Sequence, residues 1–219
     1  MLDISTIINL FLPLLWFLPV IFLILLFKNP WTKGKVGELF VNNINKNQLD
    51  KEIYTNINNI TIRLKNGDTS QIDHVVVSKY GIFVIETKNY KGWIYGSEKG
   101  KTWTQVNYKQ KHKFQNPLHQ NYGHIKALKE TLSELIEVDM NKFISIVVFI
   151  GENTFKTNMP NNVIKGIKYI DYIKSFDKEI LKNSEIRVII NKIGRKRLEN
   201  NFKTDREHIK NLKERHKTA

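Results

Sequence analysis

Two apolar runs, Val75-Val76-Val77 and Ile82-Phe83-Val84-Ile85, flank the segment Ser78-Lys79-Tyr80-Gly81. Short β-branched runs joined by a tight Gly-containing turn read as two antiparallel strands. Runs without polar alternation belong to strands buried on both faces. The chain is therefore committed to a hairpin in the middle of a sheet, with further layers covering it. Charge borders each strand: Asp73 precedes the valines, and Glu86 and Lys88 follow the second run. Charges beside a sheet centre are costly unless they are paired or serve a purpose.

The flanking sequence supplies the covering layers. Val36, Leu39, Phe40 and Ile44 recur at helical spacing after a basic connector, Lys33-Gly34-Lys35-Val36-Gly37. Residues 52–64 read as extended, and Asn66-Gly67-Asp68 is a turn signal. Short strands are expected at 92–97 and 102–106. Asn116-Pro117 opens a helix, with Asn as cap and Pro at the first helical position. Its apolar face would be Leu118, Tyr122, Ile125, Leu132, Leu135 and Ile136. A strongly apolar strand follows at 143–150 and a weaker one at 163–170. Helices are expected at 171–181, 185–200 and 204–217. The pattern predicts an α/β fold with a mixed central sheet flanked by helices.

Residues 4–27 contain no charged side chain. About 20 apolar residues suffice to cross a bilayer as a helix, and such helices tolerate Pro13 and Pro19. Lys28, Lys33 and Lys35 follow, while only Asp3 precedes, so the run reads as a single-pass anchor with the soluble domain in the cytoplasm. A cleaved signal peptide would need a basic start and a small-residue cleavage site, and neither is visible. The expected division is an anchor and juxtamembrane segment at 1–33, a globular domain at 34–183 with its motifs in 34–150, and a basic helical tail at 184–219. The chain has no cysteine, which excludes disulfides, thiol nucleophiles and Cys-type zinc sites. Its 219 residues carry a net charge of +14, and the last 28 hold 10 basic against 4 acidic residues. That balance favours an anionic partner, nucleic acid or lipid.

Counting back from the turn brings Asp73 close to position 87 on the neighbouring strand. Glu86 and Lys88, two apart, share a face. Two adjacent carboxylates repel unless a cation neutralises them, and an oxygen-only pair suits Mg²⁺ or Mn²⁺. Lys88 beside them can orient water or stabilise charge on a phosphate. A Glu-x-Lys pair on an edge strand is commonly a solvated ion pair. Here both charged clusters border buried runs, which favours a site. Lys99, Lys101, Lys109, Lys111 and Lys113 form an acid-free stretch interleaved with Trp103, Tyr108 and Phe114. Phosphate contacts plus stacking are what nucleic-acid binding needs. Core packing is the expectation for Trp103, while Tyr108 is left open between stacking and packing. The tail has two candidate partners, DNA and anionic lipid, the latter worth about 1 kcal/mol per basic residue near the surface. His74 and His124 are expected as hydrogen-bonding neighbours of the site rather than as ligands.

Four blocks occur in order: Gly37-Glu38, Gln71-Ile72-Asp73-His74, the run from Gly81 through Glu86-Thr87-Lys88-Asn89 to Gly92, and Asn116-Pro117-Leu118-His119-Gln120-Asn121. Together they resemble the nuclease-related (NERD) domain, which is similar to the PD-(D/E)xK restriction-endonuclease-like superfamily, over roughly residues 34–150. The resemblance implies a core of helix, three strands, helix and strand. It implies Asp73 and Glu86 as metal-binding carboxylates, Lys88 as the catalytic lysine and Glu38 as an additional acid on the first helix. Gln71 and Gln120 would line the same cleft. Ile72 stands where the wider superfamily has Pro, which removes no ligand. The implied activity is Mg²⁺- or Mn²⁺-dependent phosphodiester hydrolysis of DNA. The alternative is a non-catalytic nucleic-acid-binding or membrane-tethering module. Oligomeric state is not encoded in any pattern found.

Overall fold

The computed structural model describes residues 16–19, 29–134 and 136–218. The expected anchor at 4–27, apart from 16–19, lies outside the described residues, as does Leu135. Among the described residues no helix is long and apolar enough to cross a membrane. The first long helix, α1 (Pro30–Gln48), runs straight through the supposed connector. A Gly at 34 and at 37 does not break it, because a glycine costs a helix only about 1 kcal/mol.

Among the described residues the strands form two sheets where one was expected. The larger contains β1 (Thr55–Arg63), β2 (Thr69–Ser78), β3 (Gly81–Asn89), β7 (Phe143–Ile150) and β9 (Val163–Lys165), in the order β1-β2-β3-β7-β9. β1, β2 and β3 are antiparallel neighbours, and β7 and β9 join in parallel. The predicted hairpin lies in the middle of this sheet, and Ile82, Phe83, Val84 and Ile85 are fully buried. The smaller sheet holds β4 (Gly92–Tyr95), β5 (Thr102–Asn107), β6 (Gln110–Gln115) and β8 (Asn153–Phe155), in the order β6-β5-β4-β8. The lysine-rich stretch is thus a hairpin rather than a loop. Its period-2 signal is hidden because lysines occupy the solvent-facing positions while Trp103 and Phe114, opposite each other, turn toward the core.

Each face of the main sheet has its own apolar cluster. On one side α2 (Pro117–Leu132) and α4 (Asn183–Lys196) bury Ile125, Leu128, Leu132, Ile189 and Ile193 against Ile72, Val75, Val77, Ile82 and Val84. On the other, Val41 and Ile44 of α1 and Tyr169, Ile170 and Ile173 of α3 (Tyr169–Lys174) cover Val76, Phe83 and Ile85. Each such side chain, fully buried, contributes roughly 1.5–3 kcal/mol. Two expected faces differ. Val36, Leu39 and Phe40 are exposed, because Gly37, Val41, Ile44 and Asn45 face the sheet. Tyr122 is half-exposed, while the polar Asn121 and His124 are buried in its place. The boundary drawn at 183 does not separate two bodies, since α4 is part of the core. The last helix, α5 (Phe202–Thr218), lies against β2.

Asn116 joins the β4–β5 connection of the smaller sheet to the start of α2. It is fully buried, its Oδ1 accepts from the Leu118 N–H (2.9 Å), and its Nδ2 donates to the carbonyls of Ser97, Glu98 and Gly100. Asn116→Ala removes a helix cap worth about 1 kcal/mol and the donations to three partly buried carbonyls, at a further cost of about 1–2 kcal/mol. The expected loss is about 2–3 kcal/mol, read as a lower urea midpoint with an unchanged slope.

Candidate active site

The site begins where β2 leaves β3. Their ladder runs from Ser78 opposite Gly81 to His74 opposite Ile85. At the next position the Thr87 N–H donates to Asp73 Oδ2 (2.8 Å). A side-chain carboxylate takes the place of the next ladder acceptor, so the strands part around it. The cause is visible in β1. Asn58 pairs with His74 and Ile60 with Ile72, while Asn59 between them adopts a left-handed φ of 49°. Asn tolerates that conformation better than most residues. Gln71 Nε2 donates to Asn59 Oδ1 (2.8 Å) and fixes it. Ile72 and Val75 then share one core cluster, although strict alternation would put residues three apart on opposite faces. The extra twist falls on Asp73 and His74.

Glu86 is 2 % exposed, and both its oxygens are engaged. Lys88 Nζ donates to Oε1 (2.6 Å) and also to Gln120 Oε1 (2.9 Å). His124 Nε2 lies 3.1 Å from Oε2, and His124 Nδ1 lies 3.0 Å from Ser70 Oγ. A carboxylate only accepts, so the imidazole donates through Nε2, and in the neutral ring Nδ1 accepts the serine proton. Gln120 and His124 stand on successive turns of α2. That helix is pinned by Asn121, whose Nδ2 donates to Val84 O (2.8 Å), Ser145 Oγ (2.9 Å) and Ile146 O (3.1 Å) across the β3–β7 seam.

The two carboxylates are held apart electrostatically. Burial, then the Glu86 and Glu38 charges, push the Asp73 carboxyl well above the ordinary range, against the Thr87 N–H and Lys88. Burial also pushes Glu86 up, but Lys88 and the His124 hydrogen bond outweigh it and hold Glu86 at about 2. For Lys88, burial favours the neutral amine, yet Glu86 and then Asp73 reverse this and raise the ammonium. The result is a buried ion pair beside a carboxyl under anionic repulsion. A hard dication suits that donor set, because it would relieve the repulsion that Asp73 feels from Glu86 and Glu38. Among the described residues no group of three or more His, Asp or Glu side chains is gathered tightly enough to hold a metal. Asp73 and Glu86 are the pair in place.

A cavity of about 450 Å³ opens over this cluster. Asp73, Gln71 and Ser70 line it from β2, Glu38 and Lys35 from α1, and Gln120 and His124 from α2. Glu86 lies buried behind it. Glu38 is tied to Lys35 (3.2 Å), so it stands on the wall rather than within the carboxylate pair. Gly37 allows this approach, since a Cβ there would stand 2.9 Å from Asn89 Cβ at the end of β3. Lys99, Lys101, Lys109, Lys111 and Lys113 are exposed, outside the cavity, and Tyr108 at the hairpin tip is exposed with a φ of 53°. Trp103 is core, 1 % exposed. Sequence reasoning missed Ser70 and Gln115 as lining residues; it expected His124 as a hydrogen-bonding neighbour of the site, and the structure places its Nε2 on Glu86 Oε2. For His124 a signal existed, its i+4 spacing from Gln120 on the same helix.

The family model for the nuclease-related domain matches residues 33–150. An uncharacterized protein of Bacillus anthracis is 37% identical over 187 residues, covering 84% of this chain and 85% of the relative. No solved structure matches. The chain belongs to the nuclease-related domain family.

His74 makes the strand twist sensitive to acid. It is 1 % exposed, and among the described residues neither ring nitrogen has a hydrogen-bond partner. Burial outweighs the attraction of Glu86 and lowers its pKa to about 4. The folded pKa lies below the unfolded value of about 6.5, so the unfolded chain takes the proton first as pH falls. Its contribution to stability is full above pH ~6.5 and declines toward pH ~4, by about 3 kcal/mol in total. Because the raised Asp73 carboxyl titrates with the opposite sign, the His74 share is read as the difference between urea titrations of the parent chain and His74→Leu, which should grow toward acid across this window.

Proposed function

We propose that this member of the family is a membrane-anchored, metal-dependent nuclease that hydrolyses phosphodiester bonds in DNA. The observation that carries the reading is the convergence of Asp73, Glu86 and Lys88, with Gln120, at the point where β2 and β3 part. Asp73 and Glu86 would hold Mg²⁺ or Mn²⁺, with Glu38 on the facing wall. The ion would supply Lewis-acid polarisation of the scissile phosphate. Lys88, fixed between Glu86 and Gln120, places a positive charge where negative charge develops on phosphate oxygens, and it is positioned to orient the attacking water. Because Gln120 and Glu86 already hold its ammonium, little reorganisation is needed during the reaction. His124 and Ser70 hold Glu86 in one orientation. The uncharged run at 4–27, followed by Lys28, Lys33 and Lys35, would anchor the chain with this domain in the cytoplasm.

The substrate's backbone would approach along β6. Lys111, Lys113 and Gln115 lie on one face of that strand by their two-residue spacing, and Gln115 borders the cavity. The lysines thus lead from the hairpin tip to the site.

A second reading, a nucleic-acid-binding module without turnover, has one observation in its favour. Lys88 and His124 already satisfy both oxygens of Glu86, so that carboxylate is paired without a metal ion.

Cleavage of labelled DNA by the full chain in detergent, with Mg²⁺ or Mn²⁺, tests the first reading. Asp73→Asn and Lys88→Ala should each lower the rate by about 10²-fold or more. No cleavage by the parent chain decides for the second, and cleavage at the parent rate by both variants overturns the roles assigned to Asp73 and Lys88. In either case, replacing Lys109, Lys111 and Lys113 by Gln should flatten the salt dependence of DNA binding by about 0.7–0.9 log units per lysine engaged.

A further inference from the structure

The basic C-terminal helix does not hang free. The buried His208 Nδ1 of α5 lies 2.9 Å from Thr69 Oγ1 at the start of β2. Asn211 Nδ2 reaches the same hydroxyl at 3.4 Å, and Glu207 pairs with Arg63 at the end of β1 (2.6 Å). These contacts lay α5 beside the cleft. Asp205, His208, Ile209 and Leu212 form a wall of the cavity that Asp73, Glu38 and Gln120 also line. With α1, α2 and the β2 floor, α5 encloses the approach to the carboxylates.

We infer that α5 restricts the site to single-stranded nucleic acid, such as a frayed end or flap. The inference rests on the nuclease reading for what happens next, but not for what can enter. A cavity of about 450 Å³ is at the lower end of the ~300–1,000 Å³ that holds a drug-sized ligand, enough for an unpaired nucleotide segment. A B-form duplex, with a major groove about 12 Å wide and a second strand alongside, cannot bring its backbone to Asp73 between helices on three sides. Ile209 and Leu212 are partly exposed on the wall, and apolar surface in such a channel suits the face of an unstacked base. The solvent side of α5 carries the exposed Lys203, Arg206 and Lys210, which suits the phosphates of strand leaving the channel.

The test is binding, separate from turnover. Fluorescence anisotropy would compare a single-stranded oligonucleotide with its duplex, using the full chain in detergent with EDTA present. The single strand should bind at least about tenfold more tightly, the worth of one stacked base. Deleting 202–219 removes positive charge and weakens both, but the ratio should collapse toward about one as the wall is lost. His208→Ala combined with Arg63→Ala, which undocks α5 without deleting it, should shift the ratio the same way and guards against misfolding of the truncated chain. Equal affinity for both substrates in the parent chain overturns the inference, as does a ratio unchanged in both variants. A single-strand preference without cleavage upon adding Mg²⁺ upholds it while removing the nuclease reading.

Discussion

One hydrogen bond organises the site: the Thr87 N–H to the Asp73 carboxylate. Two antiparallel strands normally continue pairing until a turn or an edge ends them. Here a side chain takes over the acceptor role, and the strands separate while the Thr87 N–H keeps a partner. The opening is therefore built without an orphaned amide at Thr87. It also orients Asp73 toward Glu86, because the bonded Thr87 is the residue next to Glu86 on the same strand. The cost is a left-handed Asn59 and an unpartnered His74, both borne by the apolar packing of the two valine and isoleucine runs. A hairpin less deeply buried would relax by slipping register, which is suppressed here because one slip turns every core side chain to the wrong face.

The second constraint is the asymmetry between the two carboxyls. Identical acids in one pocket would share their fate, but Glu86 has an ammonium and an imidazole on its two oxygens, whereas Asp73 has a neutral amide and two anionic neighbours. Glu86 is ionised throughout the physiological range. Asp73 is the group whose charge depends on what occupies the cleft. Such a divergence of environments within one cluster marks a place prepared for chemistry more often than one built for stability.

Much of the architecture was legible because its signals are local. The hairpin, the Asn116 cap, the opening helix and the β7 strand follow from periodicity, caps and turns. Asp73 could be put beside Glu86 by counting residues from Gly81. What stayed hidden depends on non-local packing. β6 alternates lysine with a face on which Phe114 alone meets the core, against Tyr90 and Trp103, and the buried face of α1 is set by Gly37 and Asn45 rather than by Val36 and Leu39. His124 is expected near the site, but that its partner is Glu86 emerges only when α2 is laid on the sheet. The docking of α5 joins His208 and Asn211 to Thr69 and Glu207 to Arg63, pairs about 140 residues apart in sequence that no local pattern announces.

The chain's positive charge takes on meaning once it is placed in space. Lys35 lines the cleft and Lys88 lies buried behind it, both paired with acids, so they offer little long-range attraction. The lysines of the β5–β6 hairpin and of α5 are exposed, on different elements bordering one cavity. Cations outside and carboxylates within give a polyanion a graded path: attraction at the rim, then repulsion at the centre unless a cation intervenes. A pure nucleic-acid clamp gains nothing from that repulsive centre, since each buried carboxylate weakens phosphate binding. A phosphate is accommodated best where the anionic centre is neutralised as it arrives, a condition that the proposed metal-dependent reading would meet.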